Sequence, residues 1–204
     1  MKTIVVAAQK GGAGKTTLAR NLAVAASLTK RRVLCLDLDP QGSLRAWWDS
    51  RATEVPAMLD RDPLPKDLAA TLRALDTQFD FCFVDTPPAA PEWLTEALAA
   101  ADLVLIPVRP SPDDMRAVGA TIAAAERAKV PFAFALSQTP RARITEEAAR
   151  VLAQHGRVAP VNIAQRVSYA ETGATGQGVA EAGDDKAAAE IAALWNYVKG
   201  IVNG

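Results

Sequence analysis

The sequence predicts an α/β fold: a single doubly wound, mostly parallel sheet with helices on both faces, forming one domain over residues 1–204. Three observations lead there. Short runs that are apolar on both faces recur along the chain, as strands do when a parallel sheet is covered on both sides by helices. Segments with helical spacing of apolar residues separate these runs, and that alternation is the pattern of a doubly wound domain. No linker, repeat or low-complexity tract interrupts the 204 residues, a length that builds one sizeable core.

The elements follow in order. Residues 3–8 form a β-branched run leading into a glycine-rich loop, and 16–28 read as a helix with Leu18, Leu22, Ala25 and Ala26 on one face. Further apolar runs lie at 33–38, 81–84, 103–108 and 131–136. Helices are predicted between them at 66–78, 91–100, 113–129 and 145–155. The last, at 185–202, carries Ile191, Leu194, Val198, Ile201 and Val202 at helical spacing. Residues 42–65 are the least regular and are expected to carry a functional loop.

Composition narrows the function classes. Apolar residues make up 50% of the chain and charged ones 23%, as in an ordinary soluble globular protein. Lys plus Arg and Asp plus Glu both total 23, so any attraction to nucleic acid or membrane must come from local clustering. No stretch reaches the ~18 apolar residues of a membrane span, and the expected location is the cytoplasm. Cys35 and Cys82 each sit inside an apolar run and read as buried small hydrophobes in a reducing compartment.

The chemistry concentrates at Lys10-Gly11-Gly12-Ala13-Gly14-Lys15-Thr16-Thr17, between a predicted strand and a predicted helix. In that context the glycines let backbone N–H groups converge on a phosphate, and the helix N-terminus adds its dipole. Lys15 places a charge on the β- and γ-phosphates of a bound nucleotide such as ATP, and the Thr16 hydroxyl completes a Mg²⁺ site. The usual pattern, G-x-x-x-x-G-K-[ST], would put a glycine at position 9, where this chain has Gln9. Lys10 is an added cation at the start of the loop. It is either a solvated surface lysine or one placed to reach a phosphate held by a neighbouring subunit.

Two apolar runs end in aspartate, at the edge of a doubly wound sheet where ligands bind. They are Val33-Leu-Cys-Leu-Asp37-Leu-Asp39-Pro-Gln-Gly and Phe81-Cys-Phe-Val-Asp85-Thr-Pro-Pro. Asp85 is the expected acceptor for Thr16 and for waters of the metal. Asp37 and Asp39 alternate, so one is expected to point along the sheet toward the same metal, with Asp37 the candidate ligand, while the other turns to the loop. One of them can help orient the attacking water. Aspartates after strands also cap the helices that follow, which is the competing use for any one of them.

With these three motifs, the chain resembles the ParA/MinD family of deviant P-loop ATPases, most closely its short ParA-type, ParF-like partition ATPases. Leu44-Arg-Ala-Trp47-Trp48, Leu105-Ile-Pro-Val-Arg-Pro-Ser-Pro-Asp-Asp114 and Val167-Ser-Tyr-Ala-Glu-Thr-Gly173 extend the likeness over nearly the full length. The resemblance implies slow Mg²⁺-dependent ATP hydrolysis and an ATP-dependent homodimer enclosing two nucleotides, with Lys10 reaching the nucleotide of the other subunit. It also implies that Lys15 and Thr16 bind phosphate and Mg²⁺, that Asp39 is tied to hydrolysis, and that residues 107–114 lie near the base and the dimer surface. Many relatives carry an asparagine at the end of the sixth strand to read adenine. Here that position reads Leu136-Ser-Gln-Thr-Pro140, leaving base recognition to backbone groups.

What the chain omits shapes the expected partners. The first strand begins at residue 3, so no N-terminal helix-turn-helix domain is expected, and a small centromere-binding adaptor would supply DNA-site recognition and stimulate hydrolysis. The last helix, with Lys199 as the one lysine in 191–204, packs against the domain and is not a membrane tether. Between Arg127 and Arg166 seven bases face two acids, an excess of five. That patch, with Arg141, Arg143, Arg150 and Arg166 at its centre, is the expected surface for non-specific DNA and nucleoid association. It also fits an ordinary solvated helix face. Trp47 and Trp48 are core residues or an aromatic interaction patch, and His155 sits at a helix end. The expected function is plasmid or chromosome partition. Two alternatives stand beside it: the same switch positioning a microcompartment, chemotaxis or conjugation complex, and a metabolic ATP-dependent synthetase.

Overall fold

The fold is described from a computed structural model covering residues 1–88 and 93–204. Seven strands form one sheet: β1 (Lys2–Val6), β2 (Val33–Asp37), β3 (Ala57–Met58), β4 (Phe81–Asp85), β5 (Leu103–Val108), β6 (Phe132–Leu136) and β7 (Arg157–Val158). Their order is β3-β2-β4-β1-β5-β6-β7, and every pairing is parallel. The strand that feeds the glycine loop is therefore central, between β4 and β5, and its carboxyl end adjoins that of β4 through the Val6–Asp85 register. This one sheet with helices on both faces is the predicted architecture.

Each strand serves both faces because side chains alternate with a period of two. Ile4 and Val6 face one core with Leu18, Leu22 and Trp195, while Val5 and Ala7 face the other with Leu98, Ile106 and Phe134. Cys35 and Cys82 occupy neighbouring strands but register with Phe83 and Leu34, so they point into opposite cores as free thiols. Burial raises both thiol pKa values, which keeps them inert.

Eight helices flank the sheet among the described residues: α1 (Lys15–Leu28), α2 (Ser43–Asp49), α3 (Leu68–Leu75), α4 (Leu94–Leu98), α5 (Pro112–Ala128), α6 (Arg143–Leu152), α7 (Ser168–Ala174) and α8 (Asp185–Asn203). The buried stripe of α8 includes Ile191, Leu194, Trp195, Val198 and Val202, and the Trp195 ring meets Phe81 edge-on at 4.8 Å. The C-terminal helix is thus a core element. The helix predicted at 91–100 is observed over Leu94–Leu98, and its first two positions fall outside the described residues.

Four elements were not expected. The irregular stretch contains α2, the seven-residue helix α7 lies outside every predicted segment, and β3 and β7 are two-residue edge strands too short for a periodicity to register. Helix α2 begins after Gly42, at φ 63°, with no local side-chain cap. Its start is instead fixed by Asp37, described below. Trp47 is buried and its indole N–H donates to the Gln177 carbonyl at 3.0 Å, while that of Trp48 donates to Pro56 at 2.7 Å. Both tryptophans are spent on packing.

Candidate functional site

The glycine loop, residues 10–17, links β1 to α1 at the carboxyl edge of the sheet. Gly12 and Gly14 have φ of 74° and 96°, a left-handed region where a Cβ is strained. These turns aim the first backbone N–H groups of α1 into a hollow of about 270 Å³. Gly11, Lys15, Thr16 and Asp39 line it. Two contacts from the end of β6 hold the loop in shape: Ser137 Oγ donates to the Ala13 carbonyl and Gln138 Nε2 to the Gly12 carbonyl, each at 2.7 Å. Neither clip was anticipated from the sequence, because both join residues about 125 apart in the chain.

Lys15 is buried at the mouth of α1. Burial lowers its pKa, and the nearby charges of Asp85 and Asp39 partly offset that. Asp85 closes β4 with no solvent exposure and accepts from Thr16 Oγ1 at 2.5 Å. Burial pushes its pKa up to about 7; the Thr16 bond opposes the rise and the Asp37 charge adds to it. A carboxyl group buried at the strand end, touching a threonine hydroxyl beside a phosphate-shaped loop, suits a hard divalent cation. No group of three metal-ligating side chains exists among the described residues. Mg²⁺ here would draw most of its oxygens from water and phosphate, with Thr16 and Asp85 as the protein's part.

Asp37 is placed differently from the expectation that it serves the metal. Its Oδ1 accepts from the Asp39 amide at 3.0 Å, and Oδ2 accepts from the amides of Leu44 and Arg45 at 2.9 and 3.0 Å. The carboxylate caps α2 from seven residues upstream, and burial raises its pKa against these three bonds. The capping alternative wins at this position because β2 ends directly behind the first turn of α2. Asp39 is half-buried, faces the hollow, and accepts the Gln41 amide at 3.0 Å in a tight turn. Asp37 therefore shapes the turn that presents Asp39.

A second hollow, of about 350 Å³, shares Gly14 and Thr17 with the first and continues past Arg20, Gln138 and Tyr169. The two together give a nucleotide-sized trough running from phosphate loop to β6. Gln138 lines this hollow with its amide N–H₂ committed to the loop.

Lys10 lies outside the trough. Its ammonium is 3.4 Å from Asp114 and 3.7 Å from Asp113, at the start of α5. The basic surface is smaller than the sequence count suggested. Arg166 is held by Glu190 and is only 21% exposed, so it is a structural ion pair. Arg143 pairs with Glu147 at 2.7 Å, and Arg150 approaches Glu146 at 3.8 Å on the same helix. Arg141 and Arg143 remain exposed at the head of α6.

The strand–loop–helix cradle, its buried lysine and its Thr16–Asp85 pair define a nucleotide-binding domain of the P-loop class. The family model described as "CobQ/CobB/MinD/ParA nucleotide binding domain" matches residues 4–179. The chain belongs to that family. It is 38% identical over 155 residues to the maintenance of carboxysome distribution protein A of Halothiobacillus neapolitanus, covering 70% of this chain and 69% of that protein. It is 36% identical over 126 residues to protein ParA of Rhizobium radiobacter, covering 61% of this chain and 54% of that one. An ATP complex of a McdA variant from Cyanothece superposes with a TM-score of 0.83 at 20% identity, covering 100% of this chain and 96% of that one, a likeness of fold.

Proposed function

We propose that the chain is a Mg²⁺-dependent ATPase switch of ParA type, in which ATP joins two copies face to face and hydrolysis parts them. The observation that carries this reading is the position of Lys10: a half-exposed ammonium at the loop rim, outside the trough of its own chain and held by side chains of α5. Lys15 already serves the nucleotide in cis, so a second loop lysine facing outward is suited to a nucleotide bound by the other subunit. A synthetase would leave Lys10 without a task.

In this reading the geometry supports the following roles for the side chains. The loop amides and Lys15 hold the phosphates, and Thr16 and Asp85 hold Mg²⁺, which when bound offsets phosphate charge. Asp39, fixed by the Asp37-capped turn, orients the attacking water, and Lys10 from the second subunit stabilises charge on the transferred phosphoryl group. The arrangement resembles a positioning device more than a fast catalyst, in keeping with slow turnover until an adaptor acts.

The cargo reading follows the relatives. The ParA likeness supports segregation of plasmid or chromosome, with a small centromere-binding adaptor and non-specific DNA as the track. The carboxysome-distribution likeness, at higher identity and coverage, supports a protein-shelled cargo moved by the same cycle over the same track. Arg141, Arg143 and Arg150 form the DNA surface in either case, without Arg166. The test is Asp39→Ala: it should retain ATP, lose hydrolysis, and accumulate as an ATP-bound dimer. Full hydrolysis by this variant would overturn the assignment.

A further inference from the structure

Asp114, at the start of α5, gathers three polar side chains around one buried carboxylate. It is 3% exposed, accepts two bonds from Arg109 (Nε at 2.9 Å, Nη2 at 3.1 Å), one from Ser111 Oγ at 2.5 Å, and the Lys10 ammonium at 3.4 Å. Ser111 in turn caps α5 by accepting the Asp114 amide at 3.2 Å, and Pro112 stands in the first turn. The carboxylate is therefore fixed by β5 and α5 whether or not Lys10 is there. Burial would raise its pKa, yet the Arg109 and Ser111 bonds hold it below the usual carboxylate range. Two cations share this one buried anion. Arg109 holds it in a bidentate fork, the stronger geometry, while Lys10 has the longest contact and keeps a third of its side chain in water.

We propose that Asp114 is a positioning residue for Lys10: it docks the lysine in cis in the free chain and surrenders it when the nucleotide of a second subunit arrives. The proposal rests on the dimer reading above. Release is easy because Arg109 and Ser111 leave Asp114 fully satisfied, so no buried charge is orphaned when Lys10 departs. Arg109 is thus a competitor that sets how loosely the lysine is held. Its Nη1 lies 3.7 Å from where a Cβ on Gly12 would stand, which keeps this cation beside the loop as Lys10 leaves. Asp113, exposed and 3.6 Å from Arg116, adds a weaker second contact at 3.7 Å.

Two substitutions should act with opposite signs, which a merely structural network would not produce. Acetylation of Lys10 by a small reagent, followed by mass spectrometry on the nucleotide-free chain, reads the dock directly. Asp114→Asn should raise the Lys10 rate about two- to fivefold, the range for a half-exposed ion pair, and Arg109→Gln should lower it by a similar factor. The ATP concentration at half-maximal dimerisation should fall for Asp114→Asn and rise for Arg109→Gln. Arg109→Gln alters a partly exposed side chain and carries the test alone if Asp114→Asn does not fold. Unchanged Lys10 reactivity, or a change of the same sign in both variants, overturns the dock. If reactivity moves as expected while the unmodified chain never dimerises with ATP and Mg²⁺, the dock stands and the dimer reading falls.

Discussion

Replacing Asp37 by alanine separates its two candidate roles by the sign of a stability change. As a cap, the carboxylate satisfies the amides of Asp39, Leu44 and Arg45. Three such bonds contribute about 1 kcal/mol each, and the burial that raises the pKa of Asp37 takes back part of that. The expected loss is about 2 kcal/mol, within the range measured for helix caps. As a metal ligand, Asp37 would instead be a buried anion beside Asp85, and its removal would stabilise the metal-free chain by relieving repulsion. Urea unfolding without nucleotide or Mg²⁺ discriminates the two. The structure predicts a lower midpoint with little change in slope. It also predicts hydrolysis reduced more than ATP affinity, because the turn carrying Asp39 loosens. Unchanged or increased stability would refute the capping assignment.

Other consequences are as direct. Asp85 has a folded pKa raised to about 7 against an unfolded value near 3.9. Its contribution to the stability of the nucleotide-free chain is full at low pH and is lost as pH rises through 7, so Asp85→Asn should be the more stable form at pH 8 in thermal unfolding while losing Mg²⁺-dependent ATP binding. Gly14→Ala forces a Cβ into φ 96° beside Ser137, and should weaken ATP binding by about 5- to 150-fold by titration, for a backbone strain of about 1–3 kcal/mol. Arg141→Glu with Arg143→Glu should weaken salt-sensitive binding to random duplex DNA, whereas Arg166→Ala should leave it unchanged and lower thermal stability instead; the reverse ranking would return Arg166 to the DNA surface.

The sequence disclosed what is local and hid what depends on distant neighbours. The five longer strands were legible because burial on both faces leaves an unbroken apolar run, as at Leu103–Val108, where expected and observed bounds agree. The phosphate loop was legible because its glycines and Lys15-Thr16 act at fixed spacing in a strand–helix context. Helix α2 was missed because its cap comes from Asp37 across a Pro-Gln-Gly turn instead of from an adjacent side chain. The Arg166 misreading has the same cause. A count along the chain treats Glu190 as remote, while the fold pairs the two. The segments holding Ser137, Gln138 and Asp114 were singled out by resemblance, but their contacts with the loop were not readable, because they arise only where β6 and β5 end beside it.

The central claim is a nucleotide-controlled assembly, and the molar mass of the purified chain by light scattering tests it most directly. With ADP and Mg²⁺ the chain should run as the 21.6 kDa monomer; with ATP and Mg²⁺ it should run as a dimer of twice that mass, and as a monomer again for Lys10→Ala. A dimer that forms equally with ADP, or one that Lys10→Ala leaves intact, would contradict it.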